Sequence, residues 1–275
     1  METLKHKWHL NNWQTVLVAF GSCLLWLACG YYLPLAVHIH VSEWRIGISL
    51  ATPVLAVLLA LLWHYKLGVR YPIRIKGLLV GLLMGWPFIW QAITYLPWTK
   101  ALYTIYDWQT YRPMFMLVVL ESLLTGIEEE LLFRGTLMGL LKKAFADRKH
   151  ANLLVIGLSA VFFGLLHLTN MTADIGSNQQ VIQEALSAVA FGIFMGTIYL
   201  LTNNLLPVIL LHTMQDIQPL NTILCRHESA VKNYSFDWSG IISGLLLIVL
   251  AIALSACYWW LSSYLKKRRL RAAVK

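Results

Sequence analysis

The chain has 275 residues, of which 58% are hydrophobic and only 13% are Asp, Glu, Lys or Arg. A soluble domain is about 45–50% apolar and about 25% charged, so this balance excludes an ordinary soluble fold and reads as a polytopic membrane protein. The net charge of +9 sits in short loops and tails between apolar runs, which is the positive-inside pattern and not a basic face for nucleic acid.

Eight apolar segments follow in chain order: 14–36, 46–65, 77–96, 113–134, 151–168, 184–202, 205–222 and 239–264. Each is close to the roughly 20 residues that cross a bilayer as a helix. The expected fold is therefore an all-α polytopic membrane protein of about eight transmembrane helices, forming a single transmembrane domain over 1–275. Lys5 and Lys7 precede the first run like a signal peptide, but Val16 to Leu35 is too long for a typical apolar core, and an uncleaved span is expected.

With eight spans, the richest basic groups fall on one side. These are Lys5 and Lys7; Lys66, Arg70, Arg74 and Lys76; Lys142, Lys143, Arg148 and Lys149; and the tail Lys266, Lys267, Arg268, Arg269, Arg271 and Lys275. The opposite loops hold Arg45, Lys100, Arg112, Arg226 and Lys232. The bias places both termini in the cytoplasm. The amphipathic stretch 135–150 either extends the fourth span or lies along the interface. The polar stretch 169–180 is expected to be an outer loop.

Cys23, Cys29 and Cys257 lie in apolar runs and Cys225 in a loop. No Cys-x-x-Cys occurs, so neither a redox motif nor a thiolate zinc site is indicated. His64, near the end of the second span, has no acidic neighbour.

The fourth span ends in Glu128-Glu129-Glu130-Leu131-Leu132-Phe133-Arg134. A charge near the bilayer centre costs about 2.5–3.5 kcal/mol on insertion scales, and such groups usually face a protein interior and serve a function. Glu130 and Arg134, at i and i+4, share a helix face and can pair. Glu129 points about 100° away. Left out of that pair, it could be poised to take a proton as a general base. The fifth span carries Phe163 and His167. The seventh carries His212 and Asp216, again at i and i+4. Taken alone, His167 could be a satisfied core or interfacial histidine, and His212 with Asp216 a hydrogen-bonded pair that stabilises helix packing. Together, Glu129, His167, His212 and Asp216 make a plausible hydrolytic site, with carboxylate and imidazole to deprotonate water and a second imidazole for an oxyanion. The same four groups have the ligand chemistry of a divalent metal such as zinc. His-Glu-x-x-His is absent.

These three clusters, Glu129-Glu130-x-x-x-Arg134, Phe163-x-x-x-His167 and His212-x-x-x-Asp216, resemble in order the three motifs of the CPBP intramembrane proteases, the CAAX-protease and bacteriocin-processing or Abi family. The resemblance covers about 113–220. It implies peptide-bond hydrolysis near the membrane surface, with Glu129 activating water with help from His167, and His212 and Asp216 stabilising the oxyanion. Glu130, Arg134 and Phe163 would support the site. Asp216 departs from the Asn version of the last motif, and an ionised Asp cannot donate to an oxyanion. The family is named both as a metalloprotease and as a glutamate protease, and the residues leave both open. The implied partners are the lipid bilayer and a membrane-associated peptide or protein. Prenylated substrates belong to the eukaryotic and archaeal branch, and peptide maturation or immunity to a bacterial one. The expected location is a bacterial cell membrane. Two other readings use the same residues: a non-catalytic immunity or binding protein on this scaffold, and an ion-coupled transporter with a midplane site.

Overall fold

A computed structural model describes residues 7–32, 41–95, 108–173, 177–225 and 238–273. They are helical apart from short links, with no strand among the described residues. In chain order the helices are α1 (Asn12–Leu27), α2 (Val41–Leu67), α3 (Leu78–Met84), α4 (Trp86–Tyr95), α5 (Trp108–Glu130), α6 (Met138–Ala144), α7 (Ala151–His167), α8 (Asn178–Thr202), α9 (Leu206–Cys225) and α10 (Trp238–Ala273). Two compact units emerge: Met1–Arg148 with Asn204–Ser229, and Lys149–Asn203 with Ala230–Lys275.

In the first unit α5 packs on α9, while α1 and α2 pack on the region where α5 continues toward α6. Asn11 starts α1 with a capping box: its Oδ1 accepts from the Gln14 amide at 2.8 Å, and Gln14 Oε1 accepts from the Asn11 amide at 3.0 Å. This satisfies donors that a helix start leaves open. His64 has a local job at the other end of α2. Its Nδ1 donates to the Val69 carbonyl at 2.8 Å and closes the turn after the helix.

The segment expected as one span over 77–96 is broken into α3 and α4. Pro87 explains the break, because it lacks the N–H a continuous helix would use and its ring clashes with the carbonyl four residues back. The stretch after α5 does continue the fourth helix. It passes through a π-helical segment, Leu131–Leu137, into α6. Leu137, Leu140 and Leu141 are fully buried. The start of α9 is fastened by Asn204, also fully buried. Its Nδ2 donates to the Arg74 carbonyl at 2.6 Å, and its Oδ1 accepts from the Arg74 and Leu206 amides.

In the second unit α8 packs against both α7 and α10. The α7 contact is close because Gly164 meets α8 backbone: a Cβ there would lie 2.6 Å from the Ala185 carbonyl. Small residues permit such approaches where lipid leaves no hydrophobic drive for helix association. Across the α10 contact, Thr197 Oγ1 donates to Ser255 Oγ at 2.9 Å. The expected loop over 169–180 is shorter. Leu168–Ala173 form a 3-10 turn, and Ser177 caps α8 with Gln180.

Among the described residues, four helices are long and apolar enough to cross a membrane: Asn12–Gly30, Ala151–Met171, Asn178–Thr202 and Trp238–Arg268. The remaining expected spans hold helix, but Pro87 interrupts one and acidic side chains lower the apolarity of another. Lys5, Lys100, Arg226, Lys232 and Lys275 lie outside the described residues. Cys23 is buried, whereas Cys29 and Cys257 are exposed, all as free thiols.

Candidate active site

The acidic run sits where α5 gives way to the π segment. A π turn inserts an extra residue into the helical ladder, and such bulges cluster at functional sites. All seven residues of the π segment are buried. Thr136 within it meets Tyr71, with the two hydroxyl oxygens 2.9 Å apart.

Opposite the acidic run lies α9, held close by the absence of a side chain at Gly126. A Cβ at that position would come within 2.7 Å of Thr213 Oγ1 and 3.1 Å of the Ile209 carbonyl. The contact brings Glu129 and Glu130, one helical turn further along, to His212.

Glu130 Oε1 is the hub. Arg134 Nη1 donates to it at 2.7 Å, and His212 Nδ1 lies 2.7 Å from the same oxygen. Glu130 and Arg134 are 0% and 1% exposed. The i and i+4 pair expected from spacing is therefore present, and Glu130 additionally orients the imidazole. With Nδ1 engaged by Glu130, the other ring nitrogen faces two carboxylates. His212 Nε2 is 3.5 Å from Glu129 Oε2 and 3.6 Å from Asp216 Oδ2. These distances exceed those of a direct hydrogen bond and suit groups that share a third polar atom between them. Glu129 and Asp216 retain 15% and 25% side-chain exposure, against 6% for His212.

Glu128 turns away from this group toward α1, where Trp26 Nε1 donates to its Oε2 at 3.3 Å. Nothing in the sequence signals that contact, since the two residues are 102 positions apart.

His167 and Phe163 belong to the second unit and form their own pair. His167 Nδ1 lies 2.9 Å from the Phe163 carbonyl oxygen. A carbonyl only accepts, so Nδ1 carries the proton and Nε2 of the neutral ring is the basic nitrogen. The Phe163 ring stands edge-on to the imidazole at 4.7 Å between centroids. The four-residue spacing produces both contacts, because residue i+4 of a helix lies above the carbonyl and side chain of residue i. Among the described residues, no group of three or more His, Cys, Asp or Glu is arranged to hold a metal ion. The imidazole nitrogen that faces Glu130 is already engaged.

Comparison with curated proteins and with solved structures gave no match. Residues 111–218 match a family model, Rce1-like, described as type II CAAX prenyl endopeptidase Rce1-like. That segment, under half of the chain, carries the acidic run, Phe163, His167, His212 and Asp216, and over it the chain is similar to the Rce1-like CAAX prenyl endopeptidases.

Proposed function

We propose that the protein is an intramembrane endopeptidase that cuts a peptide bond in a membrane-associated peptide or protein, with Glu129 as the base that activates water. The observation that carries this reading is the posture of His212. Its Nδ1 is held by Glu130, and its Nε2 faces Glu129 and Asp216 at 3.5 and 3.6 Å.

Glu129 takes a proton from water, and the oxygen attacks the scissile carbonyl. His167 is the second candidate base: with its Nδ1 proton committed to the Phe163 carbonyl, Nε2 is the nitrogen left to accept a proton. His212, as the imidazolium with its Nδ1–H held by Glu130, donates from Nε2 to the oxyanion as it forms, the geometry in which a preorganised donor is most effective. Collapse of the adduct breaks the C–N bond, and protonated Glu129 returns its proton to the leaving nitrogen. Asp216 keeps the Nε2 proton of His212 in place by its negative charge and donates nothing itself. A divalent metal would have the Glu129 and Asp216 carboxylates as oxygen donors, but the described residues do not assemble a ligand set.

The eight-span topology with cytoplasmic termini follows from the basic loops, and the family description points to a prenylated C-terminal peptide as the first substrate to try. The test is cleavage by the purified full-length protein in detergent. Prenylated and unprenylated membrane-anchored peptides are compared with wild type, Glu129→Ala and chelator-treated samples. Cleavage lost in Glu129→Ala but retained with chelator supports the glutamate mechanism. Equal cleavage by wild type and Glu129→Ala sinks it, and loss on chelation that zinc restores replaces it with a metal mechanism.

A further inference from the structure

Glu128 is another carboxylate of α5, 7% exposed. It lies within electrostatic reach of His212 and Glu129, but its hydrogen bonds run elsewhere. Two donors hold it, and both come from outside the segment that matches the family. Trp26 Nε1 on α1 reaches Oε2 at 3.3 Å. The Thr52 side chain on α2 also hydrogen-bonds to it.

The clasp is built from both sides. Trp63 Nε1 on α2 donates to Ser22 Oγ on α1 at 2.9 Å, one turn before Trp26, and fixes the two helices to each other. At the end of α1, a Cβ on Gly30 would collide with Thr52 Cγ2. The Thr52 methyl therefore rests against Gly30, and the hydroxyl is the branch left for Glu128. Two donors converging on one residue explain why it is a glutamate. A carboxylate accepts both, whereas a glutamine would present its NH2 toward one of them.

We propose that Glu128 is a positioning residue for the hydrolytic reaction: clasped by Trp26 and Thr52, it sets the rotation of α5 that aims Glu129 at His212. Consecutive helical residues are about 100° apart, so fixing the azimuth of Glu128 fixes that of Glu129. The anchor is placed just before Leu131, where the ladder changes from α to π and phase no longer follows from the α repeat alone. The helices outside the family segment would thus tune the family site. This inference rests on the protease reading above.

The experiment compares full-length wild type, Glu128→Gln, Thr52→Val, Thr52→Ser, the Glu128→Gln/Thr52→Val double variant and Glu129→Ala. Cleavage kinetics on the peptide that wild type cuts best are measured alongside thermal melts in detergent. Glu128→Gln and Thr52→Val are expected to lower kcat about tenfold with KM within about twofold, the pattern of a misaimed base. Thr52→Ser, which restores the hydroxyl, is expected to keep the wild-type kcat. The double variant should be no worse than the poorer single one, because both remove the same clasp. Unchanged kcat in Glu128→Gln and Thr52→Val, equal rates for Thr52→Val and Thr52→Ser, additive losses, or a loss that only tracks the folded fraction would each overturn the proposal. These outcomes leave the protease reading standing as long as Glu129→Ala is inactive. A wild type that cleaves nothing, or an active Glu129→Ala, removes both.

Discussion

His212 Nδ1 and Arg134 Nη1 each lie 2.7 Å from one oxygen of Glu130. A single buried carboxylate therefore ties α9 to the π segment and orients the imidazole of the candidate site. Removing one partner from a buried ion pair leaves an uncompensated charge and costs about 3–5 kcal/mol. Arg134→Ala should accordingly lower the stability of the purified protein by about 3–5 kcal/mol, read from its denaturation midpoint in detergent. The double replacement of Glu130 and Arg134 by apolar residues should recover much of that stability but not activity, because His212 then loses its orienting acceptor. A stable Arg134→Ala single variant would show that the pair is dispensable.

Glu129 makes no direct hydrogen bond among the described residues and keeps some exposure. Its replacement should separate function from folding. Glu129→Gln is expected to reduce kcat by about 10² to 10⁴, the range of a general base, with a melting temperature within a few degrees of wild type. A parallel loss of both would assign Glu129 to structure instead.

Phe163 offers His167 its carbonyl, which every amino acid supplies, and its ring, which only an aromatic supplies. Phe163→Leu should therefore retain most activity. Phe163→Ala should cost about 3–5 kcal/mol of stability, since the side chain is 3% exposed and leaves a cavity. His167→Ala should abolish cleavage without that loss. Activity assays and melts on the three variants rank them; a Phe163→Leu variant as dead as His167→Ala contradicts the backbone-acceptor account.

Gly126→Ala would put a methyl against Thr213 Oγ1 and the Ile209 carbonyl. Overpacking of this kind costs about 1–3 kcal/mol. Because the contact sets the distance from α5 to α9, kcat should fall more than stability predicts. Thr213→Ala added to Gly126→Ala should relieve only part of the defect, since the carbonyl stays in place.

Much of the helical layout was legible in composition alone, because a bilayer demands long apolar runs and backbone bonds closed within each segment. The break in the third segment was not read, because a Pro inside an apolar run is tolerated in many membrane helices and Pro87 alone does not say which outcome holds. The Glu130–Arg134 and His212–Asp216 neighbours were readable from four-residue spacing, since the α-helix itself brings those groups together. The Phe163–His167 contact has the same spacing, but His167 read as a lone histidine on an apolar helix. The π segment was not readable, for its residues carry no pattern that separates π from α. Nor was the engagement of His64 with Val69, which depends on how the chain turns after Leu67.

The sequence by itself determined which residues are chemically expensive in a membrane, their order along the chain and the family motif they spell. Tertiary structure decided what each one touches. Glu130 reaches His212 across 82 positions and Glu128 reaches Trp26 across 102. Local periodicity fixes only neighbours within a turn or two. Contacts between distant helices depend on where small residues such as Gly126 let backbones approach, and on which donors then meet each carboxylate.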